Sequence, residues 1–313
     1  MTAQSCLCLF LLLLVAFHST VIKANIVLPS PLCRPVLAST KENFQFAVNL
    51  HIYKAELFLR SVLGRGIKDI SPGLVEGPAP IGATLANVDD DRTKKFIEES
   101  GLASIGHIRA IADMTLLKTP LPMPQLDLSP PVFAKFFETL NVTFEPPFNT
   151  YANTNSFLFA AVYASDFLKL FYAGILPSIV GNPERELAAG IALYEAASYG
   201  VFRSLLNDRA NLPVLPYTFT VANATNLTAQ VANQLGGCGV KDEGLTVPLP
   251  LGAENRTTSN VIAADVNSLV YARTAREILR TVFITGDATR PGGLFPHGFD
   301  GTLYERILAL KQS

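Results

Sequence analysis

The sequence has few charged residues and no cluster of lysines and arginines. Only 16% of its 313 residues are charged, and the formal net charge at pH 7 is -1. Binding to nucleic acid or to an anionic membrane surface requires a concentration of positive charge that this chain does not have. No serine lies in a nucleophile elbow, so a serine hydrolase finds no support. The 49% share of hydrophobic residues predicts one or two globular domains with a substantial core.

No apolar run long enough for an ordinary membrane span of about 20 residues occurs after the N-terminal segment, so we expect no stable membrane insertion. Residues 1–24 contain an apolar run from Leu7 to Phe17, followed by a short polar gap and a plausible cleavage point. This pattern is that of a secretory signal peptide, although it lacks the usual N-terminal lysine or arginine. We therefore expect the mature protein to begin near residue 25 and to be exported.

Cysteine is scarce. Cys6 and Cys8 lie in the predicted signal peptide, so only Cys33 and Cys238 are expected in the mature protein. In an oxidising compartment the two remaining thiols can form one bridge, and the alternative is two buried free cysteines. Four Asn-x-Thr triplets suit the same compartment as glycan acceptors. These triplets begin at Asn141, Asn223, Asn226 and Asn255. We expect about two or three of them to be occupied.

The chain also lacks a fixed-period repeat and a linker between independent domains. Residues 25–215 contain four long helical patterns, at 41–63, about 90–117, 156–179 and 182–210, joined by loops rich in proline and glycine. In the first, apolar residues recur on one face, and Ser39 with Glu42 forms a capping box. Asn182 is predicted to cap the fourth. The sequence thus predicts an all-α, four-helix bundle with crossover connections, on which residues 216–313 pack as a loop-rich extension.

Two of these helices carry incomplete versions of a metal-binding pattern. Bundles that hold two metal ions take one glutamate from each of two helices and Glu-x-x-His from each of the other two. Here the second helix has Ser104 three residues before His107, and the fourth has Glu195 three residues before Ser198. Each half-motif therefore lacks a different ligand.

The remaining two helices offer few candidates for the missing carboxylates. The first offers His51, with Lys54 one turn later on the same face, and Asp166 or Glu56 contributes only if geometry permits. A pair of divalent ions carries roughly four positive charges, which carboxylates would have to balance, and a neighbouring lysine adds repulsion. A dinuclear redox centre is therefore disfavoured.

His107 therefore has three interpretations. In the first, it is a packed histidine that is hydrogen-bonded to a bundle neighbour such as Glu195. In the second, His51, His107 and Glu195 hold a single ion, with zinc and an open fourth position as the simplest case. The third is a functional dinuclear centre. We favour the packed histidine.

Several longer segments resemble a known family. They read "FAVNLHIYKAELFLRSVLGRG", "IGHIRAI", "PPFNTYANTNSFL", "LGGCGVKDEGLTVPLPLGAE" and "PGGLFPHGFDG". With these motifs the chain resembles the plant desiccation-related proteins with a ferritin-like domain, over nearly the whole mature sequence. The resemblance implies a ferritin-like bundle. Members of the family often read "NLEYLEAEF" where this chain reads "NLHIYKAELF", and carry glutamate at the place of Ser104. The implied di-metal site has therefore lost ligands at His51, Lys54 and Ser104.

The resemblance, together with the lost ligands, implies a secreted and glycosylated protein that protects drying tissue without catalysis. Its expected location is the apoplast or cell wall. The vacuole is the alternative, because the same signal peptide leads to both. Cell-wall components are the expected class of partner. We expect no resident cofactor. The alternative is a metal-dependent enzyme acting on oxygen species, which would need a divalent iron, manganese or zinc ion.

Overall fold

A computed structural model describes residues 30–246 and 252–310; the predicted signal peptide, with Cys6 and Cys8, lies outside them. Within the described ranges the chain forms nine α-helices and two short strands. The helices are α1 (Thr40–Leu63), α2 (Ile67–Ile70), α3 (Asp91–Thr115), α4 (Pro130–Glu138), α5 (Thr154–Ile175), α6 (Asn182–Asp208), α7 (Val221–Gly236), α8 (Ala275–Val282) and α9 (Thr302–Ala309). The strands, β1 (Val75–Glu76) and β2 (Leu121–Pro122), pair in parallel with Val75 opposite Leu121. The predicted all-α class is confirmed.

The four long helices form the bundle. Helix α1 packs most extensively against α3, α5 packs most extensively against α6, and α1 also contacts α5. The α3–α5 connection is long and contains β2 and α4, whereas α5 and α6 are joined through a single 3-10 turn at Leu176–Ser178. Long connections of this kind cross over the bundle, as the proline-rich loops predicted.

Local capping signals place the helix ends. The Ser39 side chain accepts from the Glu42 backbone N–H, while the Glu42 carboxylate accepts from the Ser39 N–H, so the predicted capping box is present at the start of α1. The prediction that Asn182 caps α6 is wrong by one residue. Gly181, with a φ of 99°, is the cap, and Asn182 already belongs to the first helical turn.

Helix α1 is buried on nearly all sides, although the sequence predicts a single apolar stripe. Its polar residues His51, Lys54 and Glu56 are 0% exposed. The C-terminal part of the chain covers the face that would otherwise meet solvent, because α9 packs on α1 and Asn49 exchanges two 2.9 Å hydrogen bonds with the backbone of Asp300. Because buried charges need partners, the partners of these polar α1 residues must lie inside the bundle.

A disulfide holds the segment that precedes α1. Of the two alternatives for the cysteines, the structure contains the bridge: Cys33 is bonded to Cys238, with a Cα–Cα distance of 5.6 Å across 205 residues of sequence. Cys238 directly follows Gly237, whose left-handed conformation ends α7. The bridge therefore ties the entry to the bundle to the C-terminal region.

A buried arginine attaches the C-terminal region to α6. The Arg203 guanidinium is 0% exposed and donates to both carboxylate oxygens of Asp242, at 3.1 and 3.3 Å. It also donates to the carbonyl oxygens of Gly244 at 2.5 Å and Asn260 at 2.7 Å. The "KDEGL" motif, residues 241–245 within the segment "LGGCGVKDEGLTVPLPLGAE" quoted above, thus folds around an arginine of the bundle.

Helix α5 is the apolar centre of the bundle. Thr154–Ser178, which includes it, is the one stretch among the described residues that is long and apolar enough to cross a membrane, and 89% of its most apolar window is buried inside the fold. Burial of this extent is what a central bundle helix shows.

Candidate metal centre

Three helices bring the predicted ligands together in the bundle core. His51 comes from α1, His107 from α3 and Glu195 from α6, and one potential ligand atom from each lies within 4.8 Å of the other two. The Nδ1 atoms of His51 and His107 lie 3.9 and 3.5 Å from Glu195 Oε1. Of the described residues, no other set of three histidines, cysteines or acidic groups converges in this way.

Burial differs among the three. The side chains of His51 and Glu195 are 0% exposed, whereas that of His107 is 17% exposed. The two imidazole rings meet edge to face, with centroids 5.0 Å apart. The site is therefore closed to solvent except along His107.

The His51 ring has a tyrosine hydroxyl as its hydrogen-bond partner. His51 Nε2 lies 3.1 Å from the Tyr172 hydroxyl. When Nε2–H donates to that oxygen, the lone pair of Nδ1 faces Glu195, which is how metal-binding histidines are usually oriented. Burial, with smaller contributions from His107 and Lys54, holds the pKa of His51 well below its ordinary value, so the imidazole is neutral. Burial also raises the pKa of Tyr172, which keeps the phenol protonated.

Three buried polar atoms at this point have no hydrogen-bond partner: His51 Nδ1, His107 Nδ1 and Glu195 Oε1. Such atoms are rare in folded proteins, and each costs about 1–3 kcal/mol when unsatisfied. A cation between them would satisfy all three. Two imidazoles and one carboxylate are also a donor set that zinc and divalent iron accept, with further positions left open. The residues therefore fit one metal ion.

The second oxygen of Glu195 is occupied by a lysine. Lys54 Nζ, 0% exposed, lies 2.5 Å from Glu195 Oε2 and donates to Ser198 Oγ at 3.3 Å. Burial lowers the pKa of Lys54, and the neighbouring carboxylate opposes that shift. The sequence predicts only repulsion from Lys54, whereas the structure shows it paired with the carboxylate of the site.

Serine hydroxyls surround this lysine. Ser198 Oγ lies 2.7 Å from Ser100 Oγ and 3.2 Å from Ser165 Oγ, and all three serines are buried. Ser104 donates to the carbonyl of Ser100, one turn earlier. The contacts of Lys54 beyond Glu195 therefore lead to a chain of neutral hydroxyls.

The other carboxylates considered from the sequence lie elsewhere. Asp166 pairs with Lys169 at 2.6 Å. Glu56 accepts from Arg60 at 2.5 Å and from the Ile67 backbone N–H at 2.7 Å, and so caps α2. Neither joins the three ligands, and Glu195 is the only carboxylate of the group.

A surface groove reaches the centre at His107. It has a volume of about 440 Å³. Its lining residues are His107, Met114, Pro183, Glu186, Leu187, Gly190 and Ile191. They belong to α3 and α6, and the half-exposed ring of Tyr194 meets the His107 ring edge to face at 5.2 Å. A small solute entering this groove would arrive at the exposed ligand.

Sequence reasoning identified all three converging residues but not the residues that orient them. Tyr172 lies on the largely apolar α5, where no periodicity distinguishes it from the other core aromatics. The Lys54–Glu195 pair joins α1 to α6. From the sequence, only the position of Lys54 one helical turn after His51 could be read.

Comparison with known proteins supplies the context. The family model described as "Ferritin-like domain" matches residues 40–208. The chain is 40% identical over 267 residues to the ferritin-like catalase Nec2 of Nesocodon mauritianus, covering 84% of each protein. It is 37% identical over 250 residues to the desiccation-related protein PCC13-62 of Craterostigma plantagineum, covering 79% of this chain and 78% of the relative. No solved structure matches significantly.

Proposed function

Because the chain belongs to the plant desiccation-related proteins with a ferritin-like domain, we propose that it is an exported stress-protective protein that holds one divalent transition-metal ion. The family expected from the motifs is thereby confirmed. The proposed ligands are His51 and His107 through Nδ1 and Glu195 through Oε1. The proposal replaces the expectation of a protein without any cofactor.

The observation that carries the proposal is the convergence of three unpartnered buried atoms from three different helices. A merely packed His107 would be expected to share a hydrogen bond with Glu195. Instead the separation of 3.5 Å and the absence of a hydrogen bond leave both atoms unsatisfied. Their arrangement is explained if a cation lies between them.

The chain's own residues would shape the environment of the ion. Tyr172 fixes the ring of His51, and Lys54 fixes the carboxylate of Glu195. The buried walls exclude bulk water, and His107 connects the centre with the groove. A bound ion of this class supplies Lewis-acid or one-electron redox chemistry.

A second candidate function is the breakdown of peroxide at this centre. Two observations favour it: a relative with 40% identity is named a catalase, and the groove reaches a ligand of the proposed site. The first candidate, protection without catalysis, is favoured by the loss of all but one of the carboxylates that a di-metal centre requires.

Replacing His107 with alanine should remove the metal. Protein purified from a secreting host without a metal-affinity tag should contain one iron, manganese or zinc ion per chain by elemental analysis. His107→Ala should contain none, because two protein ligands at a partly open site bind divalent ions weakly. Oxygen release from peroxide, measured on the same samples, separates the two candidate functions.

His297→Ala is the matched control, because His297 is exposed and lies in a turn-rich segment far along the chain. It should retain the full metal content. A metal-free protein, or equal metal in both variants, would contradict the proposed centre.

Export is supported by the Cys33–Cys238 bridge, since such bridges persist in oxidising compartments. We propose the apoplast or cell wall as the place of action, with the vacuole as the alternative, and cell-wall components as the partner class. The low positive charge continues to argue against a nucleic-acid partner.

Glycans should be found at Asn141 and Asn255 and not at Asn226. The first two are exposed and adopt positive φ angles of 57° and 58° in turns. In contrast, the Asn226 side chain accepts from the Leu245 backbone N–H and touches Gly244, so a glycan there would displace the loop. Asn223 also lies inside α7, where its side chain completes a cap.

Peptide mapping after enzymatic deglycosylation in heavy-oxygen water tests this assignment. Asn141→Gln and Asn255→Gln should each reduce the mass by one glycan, and Asn226→Gln should leave it unchanged. A glycan mapped to Asn226 in the folded protein would show that the loop contact is not maintained.

A further inference from the structure

We propose that the ammonium group of Lys54 takes the place of a second metal cation and so limits the centre to one ion. The inference rests on the proposed function, because it concerns the number of ions the same site accepts. It assigns to Lys54 a role in setting the number of bound ions that the ligand set alone does not require.

The two oxygens of Glu195 face two different cationic positions. Oε1 faces the histidines and has no hydrogen-bond partner, while Oε2 lies 2.5 Å from Lys54 Nζ. In a di-metal bundle a carboxylate of this kind bridges the two ions. Here one of the bridged positions holds an ammonium group that belongs to the chain.

The surroundings of Lys54 suit an ammonium and not a metal ion. Its donors meet Glu195 and the hydroxyl of Ser198, and Ser198 is in turn held by Ser100 and Ser165. These neutral hydroxyls cannot offset two additional positive charges. Glu195, the only carboxylate among the three ligands, already faces both the Lys54 ammonium and the first ion. A second ion a few ångströms away inside the protein would be repelled strongly by that ion.

Lys54 also holds Glu195 in position. By accepting from Lys54 through Oε2, the carboxylate is kept in the orientation that directs Oε1 at the two histidines. Lys54 therefore fills the position of a second cation and orients the carboxylate toward the first.

The direct test is the metal content of Lys54→Glu. Wild type and variant are loaded with Mn²⁺, desalted, and measured by elemental mass spectrometry and electron paramagnetic resonance. Wild type should contain one ion with the signal of an isolated Mn²⁺. The variant should contain two, with the signal of a coupled pair, because it gains a carboxylate where it loses an ammonium.

A second variant covers the case in which Lys54→Glu does not fold. Lys54→Met removes the charge, keeps a chain of similar length and adds no ligand. Because the repulsion between the buried ammonium and the ion outweighs the loss of one hydrogen bond that orients Glu195, the Kd for Co²⁺ should fall by at least about tenfold. Lys169→Met is the matched control, since Lys169 is a second buried lysine paired with a carboxylate in the same bundle. It should leave the Kd unchanged.

The outcomes separate the two proposals. A wild type that binds no ion contradicts the proposed function, whatever the variants do. A wild type that binds two ions, or a folded Lys54→Glu that still binds one, overturns the role of Lys54 while leaving the one-ion centre in place. An unchanged Kd in Lys54→Met has the same meaning.

Discussion

Replacing Glu195 with glutamine is expected to abolish metal binding and to lower the free energy of unfolding by about 3–5 kcal/mol. Glu195 is 0% exposed and is the only carboxylate among the three converging ligands. Glutamine has nearly the same shape but no charge, so the metal would lose its anionic ligand. The ammonium of Lys54, also 0% exposed, would be left without a counter-charge in the core.

Chemical denaturation of the metal-free protein isolates the second of these effects, and elemental analysis measures the first. The double variant Glu195→Gln, Lys54→Met provides the control, because it removes both charges and leaves no unpaired ion. Buried ion pairs that are replaced together by neutral groups often cost little. The double variant should therefore recover most of the lost stability while remaining metal-free. If it is as unstable as the sum of the single variants, the two residues are not energetically coupled.

Replacing Arg203 with methionine is expected to destabilise the protein by a similar amount, about 3–5 kcal/mol, for a different reason. Arg203 is fully buried, and its guanidinium satisfies the Asp242 carboxylate and the carbonyls of Gly244 and Asn260. Methionine fills part of the volume but donates no hydrogen bond. Asp242, which is 4% exposed, would then be a buried carboxylate without its cationic partner.

Hydrogen exchange should show where this stability is lost. Amides of residues 241–246, which contain the "KDEGL" motif, should exchange faster in Arg203→Met, while those of α1 and α3 remain protected at temperatures below unfolding. Arg209→Met is the matched control at the C-cap of the same helix, because its pair with Asp90 is partly exposed, at 21% and 35%. That pair should contribute at most about 1 kcal/mol. Equal destabilisation by the two substitutions would show that the buried arrangement around Arg203 has no special role.

The sequence determined the four long helices, the cap of the first of them and the set of candidate ligands. Capping boxes and periodic apolar residues act within one or two turns, so Ser39, Glu42 and the four long helical segments could be read without tertiary information. The spacing of Ser104 to His107 and of Glu195 to Ser198 identified two half-motifs by the same kind of local rule. Helix α9 was not predicted, because the turn-rich segment before it gives no sign of a helix beyond.

Only the tertiary structure decided which of these residues meet. Helical periodicity gives the face on which a side chain lies, but its depth in the bundle and the rotation of each helix depend on packing against the others. For that reason Asp166 and Glu56, which the sequence admits as ligands only if geometry permits, pair with Lys169 and Arg60, while Glu195 meets the histidines. Packing likewise gave Lys54 a salt-bridge partner that the sequence did not show, because the Glu195 carboxylate comes from a helix about 140 residues further along the chain, a separation that local rules do not cover.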